Sequence, residues 1–167
     1  VMRGSYASQE TALPAVGDIR QPVVILGGRG AMGRLMAGLF ERSGYPVRVI
    51  DVDNLDDLPD AVVDAGLVMV SVPIDRTAQV IAALPKLPEH CLLCDITSVK
   101  QMPLDAMLSA HAGPVVGLHP MFGPDTQLLS GRHVIFVDLG VPEATAAARE
   151  LFASTMATLV DMDLESH

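Results

Sequence analysis

The sequence holds little cysteine, little positive charge and no long apolar run, and each shortage excludes something. Two cysteines among 167 residues, Cys91 and Cys94, cannot build a disulfide framework. Their C-x-x-C spacing matches a redox motif, yet both sit in the apolar run Cys91-Leu92-Leu93-Cys94. A redox pair belongs at a helix N-terminus, where the dipole lowers a thiol pKa. In a strand, side chains alternate between faces, so this run predicts a buried strand whose two thiols point apart. The cytoplasm is the simplest compartment for such a chain. Lys and Arg number 11 against 20 Asp and Glu, a net charge of −9. That surface repels phosphate backbones and anionic headgroups, so neither nucleic acid nor a membrane is expected as a partner. No apolar stretch approaches the ~20 residues that cross a bilayer, and no basic-then-apolar signal segment opens the chain. Charged residues are only 19% of the total and hydrophobic ones 50%, which excludes a disordered or fibrous chain. The length suits one α/β domain with a tail, burying roughly two-thirds of the unfolded surface.

Residues 1–21 mix Ser, Gln, Glu, Pro and Gly with few large apolar residues, and read as a linker or tail. From Pro22 the pattern is regular. Pro22-Val23-Val24-Ile25-Leu26-Gly27 is apolar without alternation, as in a strand covered on both faces of a parallel sheet. Ala31 to Ser43 carries Met32, Leu35, Met36, Leu39 and Phe40 at helical spacing, closed by Gly44. Further strands are expected at Val47 to Asp51, Leu67 to Val72, Cys91 to Asp95, Val115 to Leu118, His133 to Asp138 and Thr158 to Met162. Helices are expected at Arg76 to Leu84, Met102 to Ala110 and Pro142 to Thr155. Alternation of this kind predicts an α/β fold with a doubly wound parallel sheet of the Rossmann dinucleotide-binding type.

Gly28-Arg29-Gly30-Ala31-Met32-Gly33 matches G-x-G-x-x-G between an expected strand and an expected helix, the context this motif requires. Gly28 is assigned the tight turn, Gly30 the close approach to a pyrophosphate, and Gly33 the packing of helix on strand. The helix start offers free N–H groups and a positive dipole end. Asp51 ends the second strand 23 residues after Gly28, close to the ~20 expected of a ribose-binding acid. Its carboxylate accepts from the ribose diol and repels a 2′-phosphate, with Asp53 adding charge, so the cofactor expected is NAD rather than NADP. Arg29, within the loop, is the cation that could rescue NADP binding.

Ser71, Val72 and Pro73 end the third strand, where they present backbone to a cofactor or simply terminate the strand. Asp95-Ile96-Thr97-Ser98-Val99-Lys100 ends the fourth with an acid, two hydroxyls and one of two lysines, and either faces the substrate or caps the next helix. Gly117-Leu118-His119-Pro120-Met121-Phe122-Gly123-Pro124 carries His119 at the carboxyl end of the fifth, followed by a loop stiffened by Pro120 and Pro124. There His119 can take or give a proton beside a nicotinamide. His90, His111 and His133 lie at element edges and are expected to face solvent. No spacing suggests a metal site, and no Ser-His-acid order suggests an acyl-enzyme.

On these segments the chain resembles the prephenate dehydrogenases, specifically the dehydrogenase part of the bifunctional chorismate mutase/prephenate dehydrogenases. The matching stretches are Val24 to Gly28 with Gly30, Met32 and Gly33; Val70-Ser71-Val72-Pro73-Ile74; Thr97-Ser98-Val99-Lys100; and Gly117 to Pro124. The last is the most specific, and the likeness runs from about Pro22 to the end. It implies NAD-dependent oxidative decarboxylation of prephenate to 4-hydroxyphenylpyruvate in tyrosine biosynthesis. It also implies His119 and Ser98 as catalytic residues, with Ser98, Lys100 and His119 meeting the substrate. Residues 22–163 are then the NAD-binding domain. Residues 1–21 resemble the end of a mutase helix, and 164–167 the start of the family's helical domain. That domain makes the homodimer and supplies a carboxylate-binding arginine, and it is expected to lie outside this chain. The readings left beside this one are a bare NAD-binding module and an arogenate dehydrogenase.

Overall fold

The apolar runs of the sequence become the strands of one sheet. The computed structural model describes residues 21–42, 44–96, 101–121, 133–138, 142–152 and 158–163. Among these, seven strands occur: β1 (Val23–Leu26), β2 (Val47–Ile50), β3 (Leu67–Val70), β4 (Leu92–Asp95), β5 (Val115–Met121), β6 (His133–Asp138) and β7 (Thr158–Asp163). Their spatial order is β2-β1-β3-β4-β5-β6-β7. The chain runs from β1 outward to β2 and then crosses back to β3 on the other side, so β1 and β3 flank a topological switch point. The residues 1–20 of the expected tail and 164–167 lie outside the described residues.

The helices are α1 (Ala31–Arg42), α2 (Leu58–Ala61), α3 (Thr77–Ala82), α4 (Gln101–Ala110) and α5 (Pro142–Phe152). They cover both faces, as expected of a doubly wound sheet. On one face Ile25, Met69, Cys94, Leu118 and Phe136 meet Met36 and Phe40 of α1 and Ala144 and Ala148 of α5. On the other, Val24, Val68, Cys91, Leu93 and Val115 meet Leu58 and Ala61 of α2, Ile81 of α3 and Met107 of α4. Each fully buried large aliphatic side chain contributes about 1.5–3 kcal/mol. The two thiols fall in opposite clusters, as the strand reading requires. Burial pushes the Cys91 thiol up to about 12, the reverse of a redox cysteine.

α1 ends as the sequence suggests. Gly44 stands at φ +91°, its N–H donates to the Glu41 carbonyl at 3.0 Å, and that of Tyr45 donates to Phe40 at 3.0 Å. This is a Schellman cap, and its accompanying apolar contact is the edge-to-face packing of Phe40 on Tyr45, centroids 6.2 Å apart.

Three expectations need correction. The sheet is not wholly parallel, because β6 runs antiparallel to β5 while β7 is parallel to β6. The link between β5 and β6, residues 122–132, is shorter than the dozen or more residues that a parallel crossover takes. α2 and the 3₁₀ turn Val52–Asp57 fill a segment to which no element was assigned. His111, expected in solvent, is 6% exposed, and its Nε2–H donates to the Cys91 carbonyl at 2.6 Å. A Cβ on Gly113 would lie 2.6 Å from that Nε2 and 2.2 Å from the Glu89 carbonyl oxygen, so the absence of a side chain there lets the ring fold inward. His90 is exposed, with Nε2 3.1 Å from Gln21 Oε1. The side chain of His133 lies outside the described residues.

Candidate active site

The glycine loop sorts its glycines by what surrounds each one. The positive φ of the turn falls on Gly27, at +79°, one residue before the position assigned from the motif. A Cβ there would lie 2.2 Å from the Ser71 carbonyl oxygen, so β1's exit runs directly against the end of β3. At Gly28 a Cβ would meet Val49 Cγ1 at 2.6 Å, which makes this glycine a requirement of packing against β2. At Gly33 it would meet the Gly27 oxygen at 2.4 Å and Gly28 Cα at 2.7 Å, so α1 rests on the loop's own backbone. Gly30 differs from all three. It is exposed, and a Cβ would touch only the Gly27 oxygen, at 3.4 Å.

Among the described residues, nothing demands a glycine at position 30. The open space beside it is a cradle that a side chain would fill. Its carbonyl takes the first helical bond, from the Arg34 N–H at 2.9 Å. The N–H groups of Ala31, Met32 and Gly33 open α1 and lack the intrahelical partners of later turns. The dipole adds partial positive charge there, complementary to phosphate. Ala31 is exposed and Met32 half-buried at the rim.

Asp51 stands at the end of β2, half-buried, and is held from three sides. Its Oδ2 accepts from the Arg29 backbone N–H at 3.1 Å, and Oδ1 from the Val52 N–H at 2.8 Å. Its own N–H donates to Asn54 Oδ1 at 2.7 Å, while Asn54 Nδ2 donates to the Val49 carbonyl at 2.9 Å. Asp51 and Asn54 thus form a capping box on the 3₁₀ turn Val52–Asp57. Asn54 was missed from the sequence, although an acid followed three residues on by an amide is a readable cap. The Arg29 side chain bonds elsewhere, with Nε 2.8 Å from Asp53 Oδ1. Arg48 of β2 points away from this group and forks onto Asp64, at 2.6 and 3.2 Å, and onto the Ala61 carbonyl at 2.8 Å. The hydrogen bond from Arg48 holds the Asp64 carboxyl below its ordinary range.

Across the switch point, Ser71 donates its N–H to Leu26 at 2.8 Å. Ser71 and Val72 are half-buried and Pro73 is exposed. Thr77, fully buried, offers its hydroxyl to the Val72 and Pro73 carbonyls at 3.4 and 3.2 Å and fixes this bend. Leu26, Val70, Asp95 and Gly117 are register partners in a row across β1, β3, β4 and β5. His119 lies two residues beyond Gly117, half-buried and opposite Ile135 in β5, and the strand runs on past it through Pro120 to Met121. The carboxyl edge of the sheet therefore gathers the glycine loop, Asp51, Ser71 to Pro73, and His119. Ser98 and Lys100 lie outside the described residues.

The sequence profile of the prephenate dehydrogenase nucleotide-binding domain matches residues 44–161. The chain belongs to this family. It is 49% identical over 149 residues to the T-protein of Enterobacter agglomerans, covering 86% of this chain and 39% of that protein. The T-protein of Haemophilus influenzae is 40% identical over 144 residues, covering 85% and 38%. The chain thus spans well under half the length of these curated relatives. The same fold occurs in the crystal structure of Aquifex aeolicus prephenate dehydrogenase in complex with hydroxyphenyl propionate and NAD+. There the TM-score is 0.70 at 18% identity, over 87% of this chain and 60% of that one. The family match starts at Gly44, after the glycine loop, so the reading of that loop rests on its geometry.

Proposed function

We propose that this chain is the NAD-binding part of a prephenate dehydrogenase, which oxidatively decarboxylates prephenate to 4-hydroxyphenylpyruvate in tyrosine biosynthesis. The observation that carries the cofactor half is Gly30. It is the glycine of the motif that no contact among the described residues requires, beside an open cradle at a helix start. Asp51, held by the Arg29 N–H next to that cradle, supports the choice of NAD. The description of the matching family, prephenate dehydrogenase, supports the substrate.

NAD, when bound, supplies the hydride acceptor. The chain's own residues bind and orient. Gly30 and the first N–H groups of α1 hold the pyrophosphate, Asp51 accepts from the adenosine ribose, and Ser71 to Pro73 border the nicotinamide half. His119, on the edge shared with the loop, takes the proton of the ring hydroxyl. Ser98 supports that contact, and Lys100 meets the substrate. Drawing off the hydroxyl proton pushes electron density into the ring as hydride departs, while the ring carboxylate leaves as carbon dioxide and the ring becomes aromatic. We place residues 22–163 as the cofactor domain of a longer cytoplasmic enzyme that acts as a homodimer. Calorimetric titration of the chain with NAD and NADP tests the first half. Prephenate turnover by the full-length protein tests the second. Tighter binding of NADP than NAD refutes the role of Asp51.

A further inference from the structure

The Arg29 side chain starts beside the ribose acid. Its backbone N–H is 3.1 Å from Asp51 Oδ2, so its guanidinium is within side-chain reach of any group on the ribose that Asp51 holds. Asp51 alone is an incomplete barrier to NADP, because an arginine in this position accommodates a 2′-phosphate. The structure shows where that arginine goes instead. Its Nε lies 2.8 Å from Asp53 Oδ1, with the two side chains 50% and 59% exposed. Arg48, the arginine of β2 itself, is committed to Asp64 and the Ala61 carbonyl.

We infer that Asp53 is a second determinant of dinucleotide choice, acting by withholding the Arg29 guanidinium from a 2′-phosphate. This rests on the reading of the glycine loop as a dinucleotide site. Asp51 occupies the diol position and repels the extra phosphate directly. Asp53, two residues on, neutralises the one cation of the loop that would attract it. Because the pair is exposed, the hold is modest and salt-sensitive, and its effect lies in selectivity rather than in the fold.

The test is a double-mutant cycle read by calorimetry, with the ratio of NADP to NAD affinity as the measured quantity. Asp53→Ala should raise that ratio up to about fivefold, the upper end of what an exposed ion pair is worth. The gain should shrink at 0.5 M salt. Arg29→Ala in the Asp53→Ala background should cancel it. If the gain persists without Arg29, Asp53 acts only by its own charge, and the withholding of Arg29 is refuted. If Asp53→Ala binds NAD but the ratio does not move, the inference fails while the dinucleotide site stands. If the wild-type chain binds neither dinucleotide, the site reading itself falls, and this inference with it. Asp53 makes no buried contact, and Asp53→Asn, which keeps the shape and loses the charge, gives the same ratio if the ion pair is what matters.

Discussion

Substituting Gly30 by Val separates the loop's role in binding from its role in folding. In the structure a Cβ at position 30 touches only the Gly27 oxygen at 3.4 Å, an ordinary van der Waals distance. A poorer residue at the helix start costs about 1 kcal/mol, and the stiffer unfolded chain returns part of that. For a chain of this size 1 kcal/mol moves the melting temperature by about 2–4 °C, so Gly30→Val should melt within about 4 °C of wild type. Binding should change far more. The branched side chain fills the cradle and displaces the pyrophosphate from its N–H donors. Two lost hydrogen bonds to charged oxygens, at about 1.5–3 kcal/mol each, weaken NAD binding about 10²–10⁴-fold.

Gly33→Val is the internal comparison. Its Cβ would lie 2.4 Å from the Gly27 oxygen and 2.7 Å from Gly28 Cα, and both are backbone atoms that yield only if α1 moves. Overpacking of this kind costs about 1–3 kcal/mol, so this variant should lose about 2–12 °C. Calorimetry and thermal melts on the pair decide the matter. NAD binding by Gly30→Val at wild-type affinity would show that the pyrophosphate lies elsewhere. Melting of Gly30→Val like Gly33→Val would show that the space beside Gly30 is not open.

Cys91 and Cys94 are both buried, so a thiol reagent at pH 8 should label neither in the folded chain and both in denaturant; labelling of the folded chain at the unfolded rate would refute the buried-strand placement. Because the Cys91 pKa is raised from 9.0 to about 12, its contribution to stability is complete below pH 9 and is lost as pH rises toward 12, and a Cys91→Ala variant should show a flatter alkaline stability profile. His111→Ala should destabilise the fold by about 1–3 kcal/mol, since it strips the Cys91 carbonyl of its donor; chemical denaturation measures this, and an unchanged midpoint would refute the anchoring role. In the full-length enzyme His119→Asn should lower kcat by about 10²–10⁴-fold with NAD affinity nearly unchanged; retention of more than about a tenth of wild-type kcat would refute its catalytic role.

The strands were readable because a sheet covered on both faces leaves no polar alternation in them, and β1, β3 and β4 are buried at every position. Strand direction was not readable from the same signal. Periodicity in β6 looks alike whether it runs with or against β5, and the antiparallel pairing emerges only in the structure. His111 was misplaced for a related reason. Its neighbours Ala110 and Ala112 look like a helix end in solvent, and both are exposed. What draws the ring inward is a carbonyl 20 residues away in sequence, together with the missing side chain of Gly113. Contacts across the fold leave no local pattern at the residue that makes them. Within the loop, the motif located the turn but not the residue that turns, because Gly27 and Gly28 are adjacent and both are glycine for different physical reasons.

The site's polar half is built before any ligand arrives. A carboxylate has about four lone-pair positions, and two of those on Asp51 are taken by the Arg29 and Val52 N–H groups. These bonds leave acceptor capacity for a diol while fixing the carboxylate in place, so little rotamer freedom remains to be lost on binding. The bond to Arg29 also ties β2's acid to the loop proposed to hold the pyrophosphate, and Gly27 ties that loop to Ser71 through close backbone contact. A shift at any one of these three elements would therefore disturb the other two. That coupling is why the motif glycines, the acid and the end of β3 act as one unit, and why Asn54 and Thr77, which touch no part of the cradle, belong to it as the residues that hold its parts still.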